Sequence, residues 1–268
     1  MGRLRTAART SVLSLLWAVE KLAPRSAGPN VAILNYHDFG DGGRSPFTVG
    51  PGEFAAQIRS IHRAGYSFLD GGGFQQWMTG REPDRGGLRV LLTFDDGYAS
   101  FETHAMPVLR EFGASGILFV HTDRGTVRIE AESPVLDWEA IGRIGAAGFE
   151  IGNHSHTHRS VRTLANGEID EELDRSEELL RAQAGIVPRY FAYPGGVFDD
   201  RTKARLIQRG YAAAFGGRQG LASRSSDPMN LERIGLRRET STLQLFFAMR
   251  GALNRLEAMR RRGRPEGR

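Results

Sequence analysis

The chain has 268 residues, 40% of them hydrophobic and 25% charged, which suits a globular fold and excludes a disordered or multi-spanning membrane protein. It has no cysteine, which excludes disulfides and thiolate chemistry and leaves His, Asp and Glu to hold any metal. Residues 1–25 and 241–268 together carry +9 and the stretch between them −4, so the body lacks the basic stripe of a nucleic-acid binder.

At the N-terminus, Arg3, Arg5 and Arg9 precede an apolar run from Val12 to Val19, followed directly by Glu20 and Lys21. That run is far short of the ~20 residues needed to span a bilayer. It reads as a basic amphipathic segment over residues 1–28 rather than a cleaved secretory signal. The compartment is not fixed by this. The reading favours the cytoplasm or a membrane surface and leaves a secreted or periplasmic location open.

Short apolar runs predict strands at Val31–Asn35, Leu88–Phe94, Ile117–Val120, Phe149–Ile151, Tyr190–Ala192 and Tyr211–Phe215. Helical spacing predicts helices over Gly52–Ala64, Ser100–Phe112, Asp137–Ala147, Gly167–Ala184 and Asp199–Arg209. Strands alternating with helices imply an α/β fold around a parallel sheet, a distorted or incomplete (β/α) barrel in one domain over residues 29–240. Chemistry in such barrels sits where strands end and loops begin. Residues 241–268 read as a basic helix and tail, with Phe246, Met249, Leu253 and Leu256 on one face and Arg260, Arg261 and Arg262 beyond. The plain reading is a closing helix; the sharper one is peripheral contact with anionic lipid through the basic tails.

Three motifs fall at strand ends. Leu92-Thr93-Phe94-Asp95-Asp96-Gly97 puts adjacent carboxylates just past a strand. A divalent cation would stabilise that charge by binding one Asp and leaving the other as a base, but a polar turn fits the motif equally well. Gly152-Asn153-His154-Ser155-His156-Thr157-His158 places three of the chain's seven histidines within five positions. On a helical turn His154 and His158 would share a side. Two His and one carboxylate leave coordination positions open, as a catalytic metal site requires. Tyr193-Pro194-Gly195-Gly196 brings backbone close to the strand end, and the Gly195 N–H would be placed to stabilise an oxyanion.

In this order the motifs resemble the polysaccharide deacetylases of the NodB-homology type, carbohydrate esterase family 4, over roughly residues 30–240. The resemblance implies a metal-dependent hydrolase that removes N-acetyl groups from an amino-sugar polysaccharide, either an exopolysaccharide or a cell-wall polymer. Asp96, His154 and His158 would bind the metal, zinc first with cobalt, nickel or manganese as alternatives. Asp95 would be the general base toward water at the metal. Two features depart from the family. Its usual Arg before the third-motif Pro is replaced by Ala192, and its late Leu-x-His is missing, since no His follows His158.

Leu34-Asn35-Tyr36-His37-Asp38 resembles the early Tyr-His element of the poly-N-acetylglucosamine deacetylase branch, which makes His37 the expected general acid. Tyr36, Tyr193, Pro194 and Trp138 are candidates to line a sugar groove, and Arg233 is a candidate to orient Asp95. The expected partner is an N-acetylated polysaccharide or its lipid-linked precursor. The same metal site acting on an O-acetyl ester or small amide, or an inactive carbohydrate-binding relative, are the competing readings.

Overall fold

The computed structural model describes residues 30–42, 45–81, 87–125 and 134–251. The basic N-terminal segment, Leu253, Leu256 and the Arg260–Arg262 run lie outside the described residues. Strands β1 (Val31–Tyr36), β5 (Arg89–Phe94), β6 (Ile117–Val120), β7 (Glu150–Asn153), β8 (Tyr190–Ala192), β9 (Ala213–Gln219) and β10 (Leu231–Gly235) are all parallel. They close into a ring in the order β1-β5-β6-β7-β8-β9-β10, with β1 bonded to both β5 and β10. The fold is a seven-stranded parallel α/β barrel in a single domain. A short pair, β2 (Asp38–Phe39) and β3 (Thr48–Val49), sits above β1, and β4 (Ser67–Leu69) pairs with the first half of β5.

Strand alternation sorts the core. Ala32, Leu34, Tyr36, Val90, Leu92 and Phe94 face out and pack with Phe54, Ile58 and Ile61 of α1 (Pro51–Arg63). Val31, Ile33, Leu91, Ile117, Phe119, Tyr190, Phe215 and Leu231 face in. Phe74 and Trp77 of α2 (Gly71–Met78) join this inner cluster, and the Tyr190 hydroxyl donates to the Gly71 carbonyl at 2.7 Å. α2 therefore packs at the end of the barrel where the strands begin.

Moving toward the strand ends, the inward stripes turn polar. They read Val31–Ile33–Asn35–His37 from β1, Leu91–Thr93–Asp95 from β5, and Leu231–Arg233 from β10. That switch makes one end of the barrel a polar chamber.

The predicted helix over Ser100–Phe112 is two pieces, a π-turn at Phe101–Ala105 and α3 (Met106–Glu111). Pro107 at the junction has no N–H for the preceding turn, which accounts for the wider pitch there. α4 (Trp138–Ala146) starts at the Asp137 cap, whose carboxylate accepts from the Ala140 N–H at 2.7 Å. α5 (Asn166–Ala184) and α6 (Asp200–Gln208) follow on the outer face. α7 (Thr242–Met249) buries Leu245, Phe246 and Met249 in the same outer core as α1. No helix among the described residues is long and apolar enough to cross a membrane.

Candidate active site

The turn after β5 carries Asp95, Asp96 and Gly97. Asp96 has φ 72° and Gly97 φ 68°, a double left-handed turn that swings the second carboxylate away from the strand. Gly97 is needed for space as well, since a Cβ there would stand 2.8 Å from Val120 Cγ1.

The loop after β7 carries the histidines, and here the structure corrects the expected helical turn. Residues 154–158 are irregular, with Ser155 at φ 67° and His158 at φ 59°. The His154 N–H bonds the Val120 carbonyl, the His158 N–H bonds Ser155 Oγ, and the Asn153 amide ties the loop base to Ser176 and Tyr211. Among the described residues, Asp96, Ser155 and His158 are the only non-glycine residues with positive φ, and all three belong to this site. Backbone strain confined to one place marks a geometry that the surroundings impose.

Glu172 of α5, 2% exposed, does much of that imposing. Its Oε2 accepts from the N–H groups of His156 (2.9 Å) and Thr157 (2.8 Å), and its Oε1 accepts from the Thr157 hydroxyl and from Arg159 Nη2 (3.2 Å).

The two turns bring three donor atoms together. Asp96 Oδ1 lies 3.2 Å from His154 Nε2 and 3.1 Å from His158 Nε2, and the two imidazole nitrogens are 3.2 Å apart. His154 Nδ1 faces the Ala192 carbonyl at 2.7 Å, which assigns its proton to that nitrogen and turns the Nε2 lone pair toward Asp96. Acceptors pointed at one another at this spacing fit a shared cation. Two imidazoles and a carboxylate, within 4.8 Å of one another, are a divalent-metal donor set with positions left over.

Asp95 is kept out of that triad by its own partners. Arg233 Nη1 donates to Oδ1 at 2.8 Å, Asn35 Nδ2 donates to Oδ2 at 3.1 Å, and His37 Nε2 stands 3.9 Å from Oδ2. Burial pushes the Asp95 carboxyl up, but Arg233, His154 and His37 outweigh it and hold it below its usual value. Burial pushes the Asp96 carboxyl up, but the adjoining His154, His158 and His37 imidazoles outweigh it and hold it well below its usual value. His37 is lowered by burial against the pull of Asp96 and Asp95, and its Nδ1 has no hydrogen-bond partner among the described residues.

These groups line one cavity of about 660 Å³. Gly195, Gly196, Gly216, Gly217 and Gly235 form a wall without side chains, and His37, Phe47 and Arg237 also border the space. Gly195 itself has φ 65°, in the left-handed region.

The expected groove residues do not line this space. Tyr36 is fully buried among Phe39, Phe54 and Phe94, with its hydroxyl on Gln57 Oε1 at 2.9 Å. Tyr193 is fully buried against Phe198, with its hydroxyl on the Met229 carbonyl. Pro194 is buried in the turn, and Trp138 packs against the outer core. Tyr36 follows a rule that a motif-based reading overlooks: outward residues of a barrel strand are core. Phe47 and Arg237 escaped the sequence reading, since a lone Phe and a lone Arg in loops carry no spacing signal.

Residues 83–214 match the sequence profile of the polysaccharide deacetylase family. Over 128 residues the chain is 30% identical to the peptidoglycan-N-acetylmuramic acid deacetylase PdaA of Bacillus subtilis (strain 168), which spans 47% of this chain and 45% of that protein. The structure of IcaB from Ammonifex degensii superposes with a TM-score of 0.70 at 25% identity, covering 84% of this chain and 98% of that one. The Streptococcus pyogenes deacetylase PplD, solved with acetate, superposes at 0.72 and 22% identity, covering 83% and 99%. With the Asp96–His154–His158 triad and the single parallel barrel, these likenesses agree with the motifs: the chain belongs to the polysaccharide deacetylase family.

Proposed function

We propose that the chain is a metal-dependent hydrolase that removes N-acetyl groups from an amino-sugar polysaccharide. The observation that carries this reading is the division of labour within one carboxylate pair. Asp96 closes a triad with His154 and His158, and Asp95 is held beside it by Arg233 and Asn35.

Asp96, His154 and His158 would hold the cation, with zinc the best match to two imidazoles and a carboxylate. Once bound, such a cation polarises an acetyl carbonyl and lowers the pKa of a water molecule. Asp95, ionised at neutral pH, serves as the base that takes the water proton. Its Oδ2 lies 3.9 Å from His37 Nε2, so the proton has a short route to the acid. His37, driven toward its neutral form by burial, accepts that proton and delivers it to the leaving amine. The Gly195 N–H stabilises the oxyanion from the glycine wall. The glycine wall leaves room for a polymer to approach the metal triad. The basic segments at either end would hold the enzyme at anionic lipid, where a lipid-linked precursor is presented.

The test is acetate release from N-acetylglucosamine oligomers by metal-loaded, chelated and Asp95→Asn protein. Release that requires both the metal and Asp95 is the expected result. Release that survives chelation, or protein that takes up no metal, would sink the reading.

A further inference from the structure

Every carboxylate that lines the cavity is already engaged. Asp95 is held by Arg233 and Asn35, and Asp96 faces His154 and His158. Asp38 Oδ1 accepts from Ser100 Oγ at 2.6 Å and from the Phe39 N–H at 2.9 Å, and its Oδ2 accepts from Thr48 Oγ1 at 3.2 Å. The cations are not balanced in the same way. Arg233 is spent on Asp95, but the Arg237 guanidinium has no acidic partner among the described residues. It lies over the Phe47 ring at 5.1 Å, and the other ring near Phe47 is that of His37, at 4.9 Å between centroids. Arg237 also borders the cavity itself, as do Phe47 and His37.

Arg237 is exposed, and a guanidinium over an aromatic face still has its N–H fork free for a planar anion. With a divalent ion held at the triad, that ion together with Arg233 and Arg237 would outweigh the charge of Asp38, Asp95 and Asp96, which favours negatively charged ligands. We propose that Arg237 and Phe47 form a subsite for an anionic substituent of the substrate. Phe47 would offer its edge to the sugar ring, and Arg237 would hold a carboxylate close to the N-acetyl group under attack. The inference rests on the deacetylase reading and narrows its substrate class to acidic amino sugars.

The experiment compares kcat/KM for acetate release from two glycans of equal length. One is a neutral N-acetylglucosamine oligomer; the other carries a lactyl carboxylate on its N-acetylated sugar. A third, bearing a phosphate in place of the carboxylate, tells which anion fits. The wild-type protein is expected to prefer an anionic glycan, and Arg237→Gln to reduce that preference about tenfold, chiefly through KM, the scale of a charge-assisted hydrogen bond. Arg175→Gln, which removes the same charge from the exposed face of α5, leaves the preference in place.

An equal preference in wild type and Arg237→Gln would overturn the proposal. Direct binding of the same glycans, measured by calorimetry on wild type and Arg237→Gln, keeps the two ideas separable. Protein that releases no acetate from any glycan fails the deacetylase reading. The binding difference between anionic and neutral glycan, present or lost in Arg237→Gln, still decides the subsite.

Discussion

Replacing Arg233 with Met should raise the Asp95 pKa. The guanidinium and carboxylate are 2.8 Å apart and both side chains are about 95% buried, so solvent screens them little. At an effective dielectric constant of 20, unit charges ~4 Å apart interact by about 4 kcal/mol, and each pKa unit corresponds to about 1.36 kcal/mol. That sets a ceiling near three units. Asn35 remains as a donor and water will enter the vacated space, so a rise of about one to two units is expected. The sign follows from the opposing influences. Burial raises this carboxyl, Arg233 is the largest influence lowering it, and removing Arg233 leaves burial opposed only by the histidines and Asn35.

The assay is an NMR titration of aspartate-labelled, zinc-loaded protein, with the Asp95 resonance identified by its loss in Asp95→Asn. Acetate release should fall off at correspondingly higher pH in the variant, and Arg233→Lys should recover part of the shift. An Asp95 pKa unchanged in Arg233→Met, or a rate lowered equally at every pH, would refute the idea that Arg233 tunes the base.

Glu172→Gln should weaken metal binding by about tenfold or more, because it unfastens the loop that aims His158; calorimetric titration with zinc decides, and wild-type affinity would refute the clamp. Gly116→Ala should destabilise the barrel by about 1–3 kcal/mol in urea unfolding, since an added Cβ would stand 2.3 Å from the Leu92 carbonyl oxygen, a backbone atom that cannot swing aside. Asp137→Ala should cost about 1 kcal/mol by the same measurement, the value of one helix cap, without altering zinc affinity.

The barrel was legible because its strands are short, apolar and separated by helices with clear periodicity. β6 and β8 have the bounds that their sequence predicts. Elements that escaped share a cause: their residues lack local propensity and are held by neighbours. Gly71, Gly72 and Gly73 disguise α2, which depends on the Asp70 cap and on Phe74 and Trp77 inside the barrel. Glu232 and Arg233 disguise β10, a strand whose charged inward residue is tolerated only because Asp95 waits opposite. Gly216 and Gly217 hid the extension of β9, where only glycine allows Gly196 to approach.

The Asp96–His154–His158 cluster was legible as a motif, but the backbone that shapes it was not. A four-residue spacing suggested a helix, whereas two left-handed residues and Glu172 from a later helix achieve the same convergence. Pairwise meetings such as Asn35 with Asp95, or Arg237 with Phe47, depend on ring closure and leave no trace in local sequence.

Because β1 is seated between β5 and β10, residues near opposite ends of the described chain become neighbours. During synthesis, Asp96, His154 and His158 all join the nascent chain before Leu231 does. Until β10 slots in, β1 and β9 are open edges, and Asp95 lacks its arginine. Asp95 therefore gains its arginine only with the last strand of the ring, so a chain released early would carry the Asp96–His154–His158 cluster without that pairing beside it.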